Sequence, residues 1–319
     1  MILLKIIGGI NMYEESTFIS KSGTRIHYYI FKPIICVRYK AVLQIHHGMA
    51  EHALRYQHFC EYLCRHDYVV VVSDHLGHGQ SLINNQLGFF GKENGWNILV
   101  EDVQQLNRIL YHQFPDIPHF LFGHSMGSFV ARDYASQYGE YINGLILSGT
   151  GINDKMLSMS KLLIKSMMLV KGRLYRSKLI DSISFGQYNE RFKPNRTNFD
   201  WLSRDEAMVD AYINDSLCGY IFTLNAYYDL LSGFTRLKAS GNVLKIPKDL
   251  PILFVSGSED PVGHFGKDIE QLSKQYKKAN IKNVEVKLYK EARHEVLNDS
   301  HRIEVYKDIL SWMEKQIGY

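Results

Sequence analysis

Gly123-His124-Ser125-Met126-Gly127 follows a short apolar run at 119–122 and leads into a helix-like run from Gly127. Strand, sharp turn and helix in that order are the setting in which a serine becomes a nucleophile. A serine hydroxyl attacks weakly at its own pKa, so it must stand exposed on a tight turn beside a base. The two glycines fit that geometry. The turn strains the backbone at the serine, and side chains at Gly123 and Gly127 would collide with the adjoining strand and helix.

Such a turn predicts an acid and then a histidine further along, each just after a strand. Pro251-Ile252-Leu253-Phe254-Val255 reads as a short buried strand and runs into Ser256-Gly257-Ser258-Glu259-Asp260-Pro261. Asp260 is the candidate acid, with Glu259 the alternative. The plainer reading of Asp260 is a helix N-cap ahead of Pro261 at the first helical position. Val284-Glu285-Val286-Lys287-Leu288-Tyr289 alternates with period two, as a half-buried strand does, and His294 lies on the loop after it. Ser125, Asp260 and His294 are therefore the expected triad.

Two backbone N–H groups should complete the site by holding a developing oxyanion, one just after the nucleophile and one after an earlier strand. Met126 supplies the first. For the second, Ala41-Val42-Leu43-Gln44-Ile45-His46 reads as a strand leading into His47-Gly48-Met49, which points to the Met49 N–H.

With these residues in view, the chain resembles a known family. His47-Gly48-Met49-Ala50-Glu51-His52 with Arg55-Tyr56 resembles the "HGxxEHxxRY" stretch of the monoacylglycerol lipase and lysophospholipase-like α/β-hydrolases, a group overlapping the serine aminopeptidase-type hydrolases. Asp74-His75-Leu76-Gly77-His78-Gly79-Gln80-Ser81 is similar to the "DxxGHGxS" of the same family, and residues 123–127 to its "GHSMG". Asp200-Trp201-Leu202-Ser203-Arg204-Asp205, then Asp210, Tyr212, Asp215 and Cys218, looks like a stretch these proteins carry in the lid. The resemblance runs from about Phe18 to the C-terminus. It implies an α/β-hydrolase fold with an inserted helical lid. It also implies Ser125 as nucleophile, Asp260 and His294 as partners, and Met49 and Met126 as oxyanion donors. One departure is Ser128, where the family usually has a further glycine. From the residues themselves, 74–81 reads as a glycine-rich turn whose polar groups brace the oxyanion loop.

Length and composition agree with one soluble globular fold carrying an insertion: 319 residues, 45% hydrophobic, formal net charge +4. That charge is too small to imply a nucleic-acid partner. The four cysteines, 36, 60, 64 and 218, have no disulfide-type spacing and suit a reducing cytoplasm. The apolar start is too short to span a membrane and lacks a signal-peptide pattern, so residues 1–11 are expected to be loosely ordered, with Met12 an alternative start.

Strand-like and helix-like segments alternate through the chain, which argues a mostly parallel sheet covered by helices on both faces. The alternation stops between about 150 and 241. The expected division is a core at 1–149, a helical lid at 150–241, and the rest of the core at 242–319. Met156, Met159, Met167 and Met168 mix with Leu157, Leu162, Leu163 and Ile164 in the first part of that lid, with lysines and arginines interspersed. This stretch has three readings: an acyl-chain channel lined by adaptable methionines, a basic amphipathic face docking on a membrane or micelle, or a helix packed on the core with a solvated lysine face. Trp201, Tyr212, Tyr220, Phe222, Tyr227, Tyr228 and Phe234 suggest a pocket roof or an ordinary lid core.

The function expected is a serine hydrolase cleaving carboxylic esters with an apolar acyl chain, of monoacylglycerol or lysophospholipid type, without cofactor. An aminopeptidase or amidase on the same scaffold would need an acidic residue to grip an ammonium, and Asp205, Glu206 and Asp210 are available. A non-catalytic ligand-binding homologue is a third reading. Metal-dependent hydrolysis is disfavoured: the histidines at 46, 47, 52, 75 and 78 form no metal-ligand run, and Asn298 stands where a His-Glu-x-x-His pattern needs its second histidine.

Overall fold

A computed structural model describes residues 4–7, 10–152, 157–239 and 241–318. Among these described residues nine strands form one sheet: β1 (Leu4–Ile7), β2 (Ile10–Ile19), β3 (Arg25–Phe31), β4 (Ala41–His46), β5 (Tyr68–Ser73), β6 (His119–His124), β7 (Gly144–Ser148), β8 (Ile252–Gly257) and β9 (Val284–Tyr289). Their order is β1-β2-β3-β5-β4-β6-β7-β8-β9. The pairings from β1 to β5 are antiparallel, and those from β5 through β4 to β9 are parallel. This is the α/β-hydrolase fold expected from the sequence.

The parallel strands explain their own composition. Every residue of β4, β5, β6 and β8 is buried, as happens where helices cover both faces and each strand reads as an unbroken apolar run. One face receives α1 (Gln57–Cys64) and α10 (Arg302–Ile317), whose Phe59, Leu63, Val305 and Ile309 pack against Leu43, Ile45 and Val70. The other face receives α2 (Gly95–Gln113), α3 (Met126–Tyr138) and α9 (Lys267–Lys278) against Val42, Val69 and Leu121. The predicted stripe Leu99, Val103, Leu106 and Leu110 is buried along α2.

Between β7 and β8 the chain forms α4 (Leu157–Lys171), α5 (Lys178–Phe185), α6 (Glu206–Asn214), α7 (Leu224–Lys238) and α8 (Gly241–Leu244). α7 anchors this insertion to the core: Phe234 meets the ring of Phe129 at 4.7 Å and that of Trp96 at 6.4 Å. Lys155 and Met156, at the start of the methionine-bearing stretch, lie outside the described residues.

The sequence predicts loose order for residues 1–11. Within that stretch Leu4–Ile7 pair with β2 at the sheet edge, and residues 1–3 and 8–9 lie outside the described residues.

Parallel strands deliver their following loops to one end of the sheet. The C-terminal ends of β4, β6, β8 and β9 therefore carry residues 47–52, Ser125, Asp260 and His294 to the same side. The last two loops lie unusually close. A Cβ on Gly257 would stand 2.0 Å from Ala292 O and 2.2 Å from Arg293 O, so only glycine lets the histidine loop close over the end of β8.

Candidate active site

Ser125 has φ 50° and ψ −119°, a conformation that side chains other than glycine rarely adopt. Strain of this kind costs on the order of 1–3 kcal/mol and persists only where the surroundings impose it. Here Ser125 N–H donates to Ser148 O at 2.9 Å, and Ser125 O accepts from Ser128 N–H at 2.9 Å and Ser128 Oγ at 2.6 Å. Ser128, the departure from the family pattern, thus ties the turn down. The flanking glycines leave no room for a Cβ: at Gly123 it would lie 2.4 Å from Gly127 O, and at Gly127 2.2 Å from His46 O. The second contact also presses the start of α3 against the end of β4, which brings Ser125 beside the loop that follows β4.

Asp260 is fully buried, and its Oδ1 lies 2.9 Å from His294 Nδ1. The same oxygen accepts the Val262 N–H at 2.9 Å, so the capping reading of Asp260 also has substance. Glu259, the alternative acid, turns outward to Arg191 at 2.8 Å. With Nδ1 protonated, His294 donates to Asp260 and leaves Nε2 as a free acceptor. Its ring is flanked by His124 at 4.7 Å and Trp201 at 5.0 Å. Burial disfavours the imidazolium, but the charge and hydrogen bond of Asp260, with Glu295 and Glu51 behind, hold the His294 pKa above its ordinary value. Among the described residues no hydrogen bond joins Ser125 Oγ to His294. The two line one cavity, together with Met49 and Met126.

The loop after β4 is set by one buried cation. Glu51 Oε1 accepts the Gly48 N–H at 2.5 Å and the Tyr56 hydroxyl at 2.9 Å. Arg55 reaches Glu51 Oε2 at 2.5 Å and grips Glu295 with two bonds of 2.7 Å. Burial alone would raise the Glu295 carboxyl, yet Arg55 holds it down to about 2; burial beside a second carboxylate pushes Glu51 the other way. Because Glu51 occupies the Gly48 N–H, the Met49 N–H is the next donor along the loop. Neither it nor the Met126 N–H has a protein acceptor among the described residues.

Residues 74–81 buttress this loop. Asp74 accepts the Ala53 N–H and the Gln80 N–H, each at 2.9 Å, and His47 Nε2 accepts the His75 N–H at 3.0 Å. Burial lowers the pKa values of His46, His47, His75 and His78, to about 3 for His46, so these rings pack as neutral groups.

The cavity has a volume of about 770 Å³ and runs from Ser125 under the inserted helices. Trp201, Tyr212, Tyr220, Tyr227 and Phe234 line it. Phe222 is instead buried in the core, and Tyr228 lies beneath Lys161 Nζ at 5.0 Å. The methionine-lined channel is not what the described part of α4 forms. Leu157, Leu163 and Ile164 face the cavity, while Met167 and Met168 pack on the core and Met159 is 60% exposed. Hydrophobicity alone could not separate inward from outward positions on this helix, which is apolar on both sides.

The acids named for an ammonium grip are also placed elsewhere. Asp205 caps α6 and pairs with Arg302, Asp210 pairs with Arg196, and none of Asp205, Glu206 or Asp210 lines the cavity. Asp181 and Glu190 line it, and sequence reasoning singled out neither. Asp181 accepts the Tyr227 hydroxyl at 2.8 Å. The four cysteines are free thiols.

The family described as serine aminopeptidase, S33, matches residues 38–301. The chain belongs to this hydrolase family. It is 27% identical over 311 residues to a monoacylglycerol lipase of Mycolicibacterium smegmatis, covering 94% of this chain and 96% of that protein. It is 28% identical over 223 residues to the monoglyceride lipase of Rattus norvegicus; the match spans 69% of this chain and only 65% of the rat protein. Among solved structures, a thermostable carboxyl esterase from Bacillus coagulans in complex with glycerol superposes with a TM-score of 0.88 at 29% identity, covering 96% of this chain and 99% of the other.

Three expectations follow from the geometry. Replacing Arg55 by leucine strands two buried carboxylates, and should lower stability by about 3–5 kcal/mol in urea unfolding. If His294 acts as a base, it must be neutral. The acid limb of kcat/KM should then fall with a midpoint above about 6.5, the ordinary histidine value. Asp260→Asn should move that midpoint to lower pH and reduce the maximum by roughly 10⁴-fold.

Proposed function

We propose that this chain is a carboxylic ester hydrolase working through an acyl-enzyme on esters with an apolar acyl chain and a small polar alcohol, of the monoacylglycerol or lysophospholipid type. The observation that carries this reading is a cavity lined mainly by apolar side chains, with Ser125 and His294 in its wall and His294 bonded to a buried carboxylate. The names of the relatives, monoacylglycerol lipase and carboxyl esterase, agree with it.

In this reading His294 Nε2 takes the Ser125 proton as Oγ attacks the ester carbonyl carbon. The oxyanion is held by the Met49 and Met126 N–H groups, and Asp260 orients and stabilises the imidazolium. Collapse breaks the bond to the alcohol oxygen, which leaves with the proton from His294. Water then attacks the acyl-serine, giving its proton to His294, and the acid departs as Ser125 is regenerated. A cleft lined by Leu157, Leu163, Ile164 and Phe234 favours an alkyl chain over a peptide. The aminopeptidase or amidase reading keeps one point in its favour, the acidic Asp181 and Glu190 on the wall.

The mouth of the cavity also bears on where substrate is met. Met159, Leu162, Leu163, Leu169 and Val170 recur at helical spacing on α4 and are 42–84% exposed. Lys161, Lys165 and Lys171 flank this stripe. Such a face suits a lipid or micelle surface better than water. No helix among the described residues is long and apolar enough to cross a membrane, so the contact proposed is peripheral.

Hydrolysis of p-nitrophenyl esters from acetate to palmitate, beside monoacylglycerols and aminoacyl amides, tests the chemistry. Wild type should prefer the longer acyl chains, and Ser125→Ala should lose about a millionfold in kcat. Equal activity in both proteins, or turnover of aminoacyl amides alone, would reject the proposal. Sedimentation with anionic vesicles tests the surface: Leu162→Asp with Leu169→Asp should abolish binding while leaving hydrolysis of soluble short-chain esters intact.

A further inference from the structure

His52, Asp215 and Cys218 are far apart in sequence and serve no part of the reaction scheme above. Their ligand atoms nevertheless all lie within 4.8 Å of one another. His52 belongs to the loop that carries Met49. Asp215 and Cys218 sit on the turn that closes α6 of the insertion. We propose that these three side chains form a binding site for a soft divalent cation, zinc by preference, that staples the oxyanion loop to the inserted helices.

The donor set suits zinc, which takes imidazole nitrogen, carboxylate oxygen and thiolate sulfur in a tetrahedron. Bond lengths of about 2.0–2.3 Å imply donor separations of roughly 3.3–3.7 Å in such a site. His52 Nε2 and Asp215 Oδ2 are at 2.8 Å and must part slightly, while the sulfur must approach. Two of these side chains have room to adjust, being 13% exposed at His52 and 32% at Asp215. That exposure also leaves the fourth position open to water. Cys218 is a free thiol, so no disulfide has to be broken for its sulfur to bind a metal.

Charge and protons balance. A divalent cation, one thiolate and one carboxylate sum to zero, so the half-buried site takes on no net charge. Arg55 lies nearby, but Glu51 and Glu295 already compensate its charge. Burial pushes the Cys218 thiol up, and the bound cation supplies the field that removes its proton to solvent. The sulfur lone pair forms the new bond. The ring proton of His52 moves to Nδ1, leaving Nε2 to coordinate, so one proton is released per metal bound.

The position gives binding a consequence. Tyr212 OH and Gly219 N–H both donate to Ala50 O, at 3.1 and 2.9 Å, so the turn and the loop already touch next to Met49. Seating one ion between His52, Asp215 and Cys218 parts the first two and draws in the third, which shifts that loop and should slow the reaction. This effect on turnover rests on the ester-hydrolase reading; the binding itself does not.

Cobalt(II), added to the reduced full-length chain, is the probe. It should give a saturable one-to-one near-ultraviolet thiolate charge-transfer band with the strong visible bands of four-coordination, both displaced by zinc. Cys218→Ser should abolish the band, Cys36→Ser should retain it, and Asp215→Asn should weaken binding at least about tenfold. A band that survives in Cys218→Ser, or no saturable signal, overturns the site even if the protein hydrolyses no ester. Zinc should also inhibit wild type reversibly, with chelator restoring activity, and spare Cys218→Ser. Tight binding with unchanged ester turnover would overturn the staple while leaving the hydrolase reading standing.

Discussion

Arg55 lies between two buried carboxylates, Glu51 on its own loop and Glu295 next to His294, and the two loops that face Ser125 meet through it. A buried ion pair is seldom a gain in stability over well-packed apolar side chains. Its value here is geometric. Glu51 draws the Gly48 N–H away from the cavity, which fixes the orientation of the next peptide and so the Met49 N–H. Glu295 holds the backbone on which His294 sits. An apolar trio of the same volume would fill the space but leave the Gly48 N–H without a partner and the two loops without a common reference. The cation also stacks over Tyr212 at 4.8 Å, extending the same reference to α6.

Around that centre the sheet supplies position and the turns supply strain. β4, β6, β8 and β9 run parallel, so their C-terminal ends form one edge of the fold. The close approaches at Gly127 and Gly257 bring the loops following these strands within bonding reach. The strained backbone at Ser125 is sustained by hydrogen bonds to β7 and α3 on either side. Removal of either support would let the turn relax and carry the hydroxyl away from the cavity.

Much of this could be read in the sequence because the fold obeys a local grammar. Buried parallel strands are continuous apolar runs, and the loop after each run is where chemistry can stand, so strand ends alone single out Ser125, Asp260, His294 and Met49 as candidates. The connections between those loops were not visible. Arg55 and Glu295 are 240 residues apart, and nothing in either neighbourhood encodes the other. The same applies to Trp201 against His294, and to Asp181 on the cavity wall. The pairing of Leu4–Ile7 is not legible in sequence because a short apolar start looks the same whether paired or not. On α4, a helix with leucine and methionine on every side gives periodicity no contrast to work with.

The backbone of His294 and Glu295 leans on the insertion rather than on the sheet: their N–H groups donate to Trp201 O and Leu202 O, at 3.3 and 2.7 Å. Arg293 donates to Asp200 O and Ser203 O, and Arg204 pairs with Asp299. The segment that roofs the cavity is therefore also a support of the histidine loop. Transplanting it whole from a relative would disturb the histidine loop along with the cavity lining. Among the described residues the α4–α5 portion has no such tie to the histidine loop, so descent could reshape the cavity lining there while the loop beneath stayed fixed.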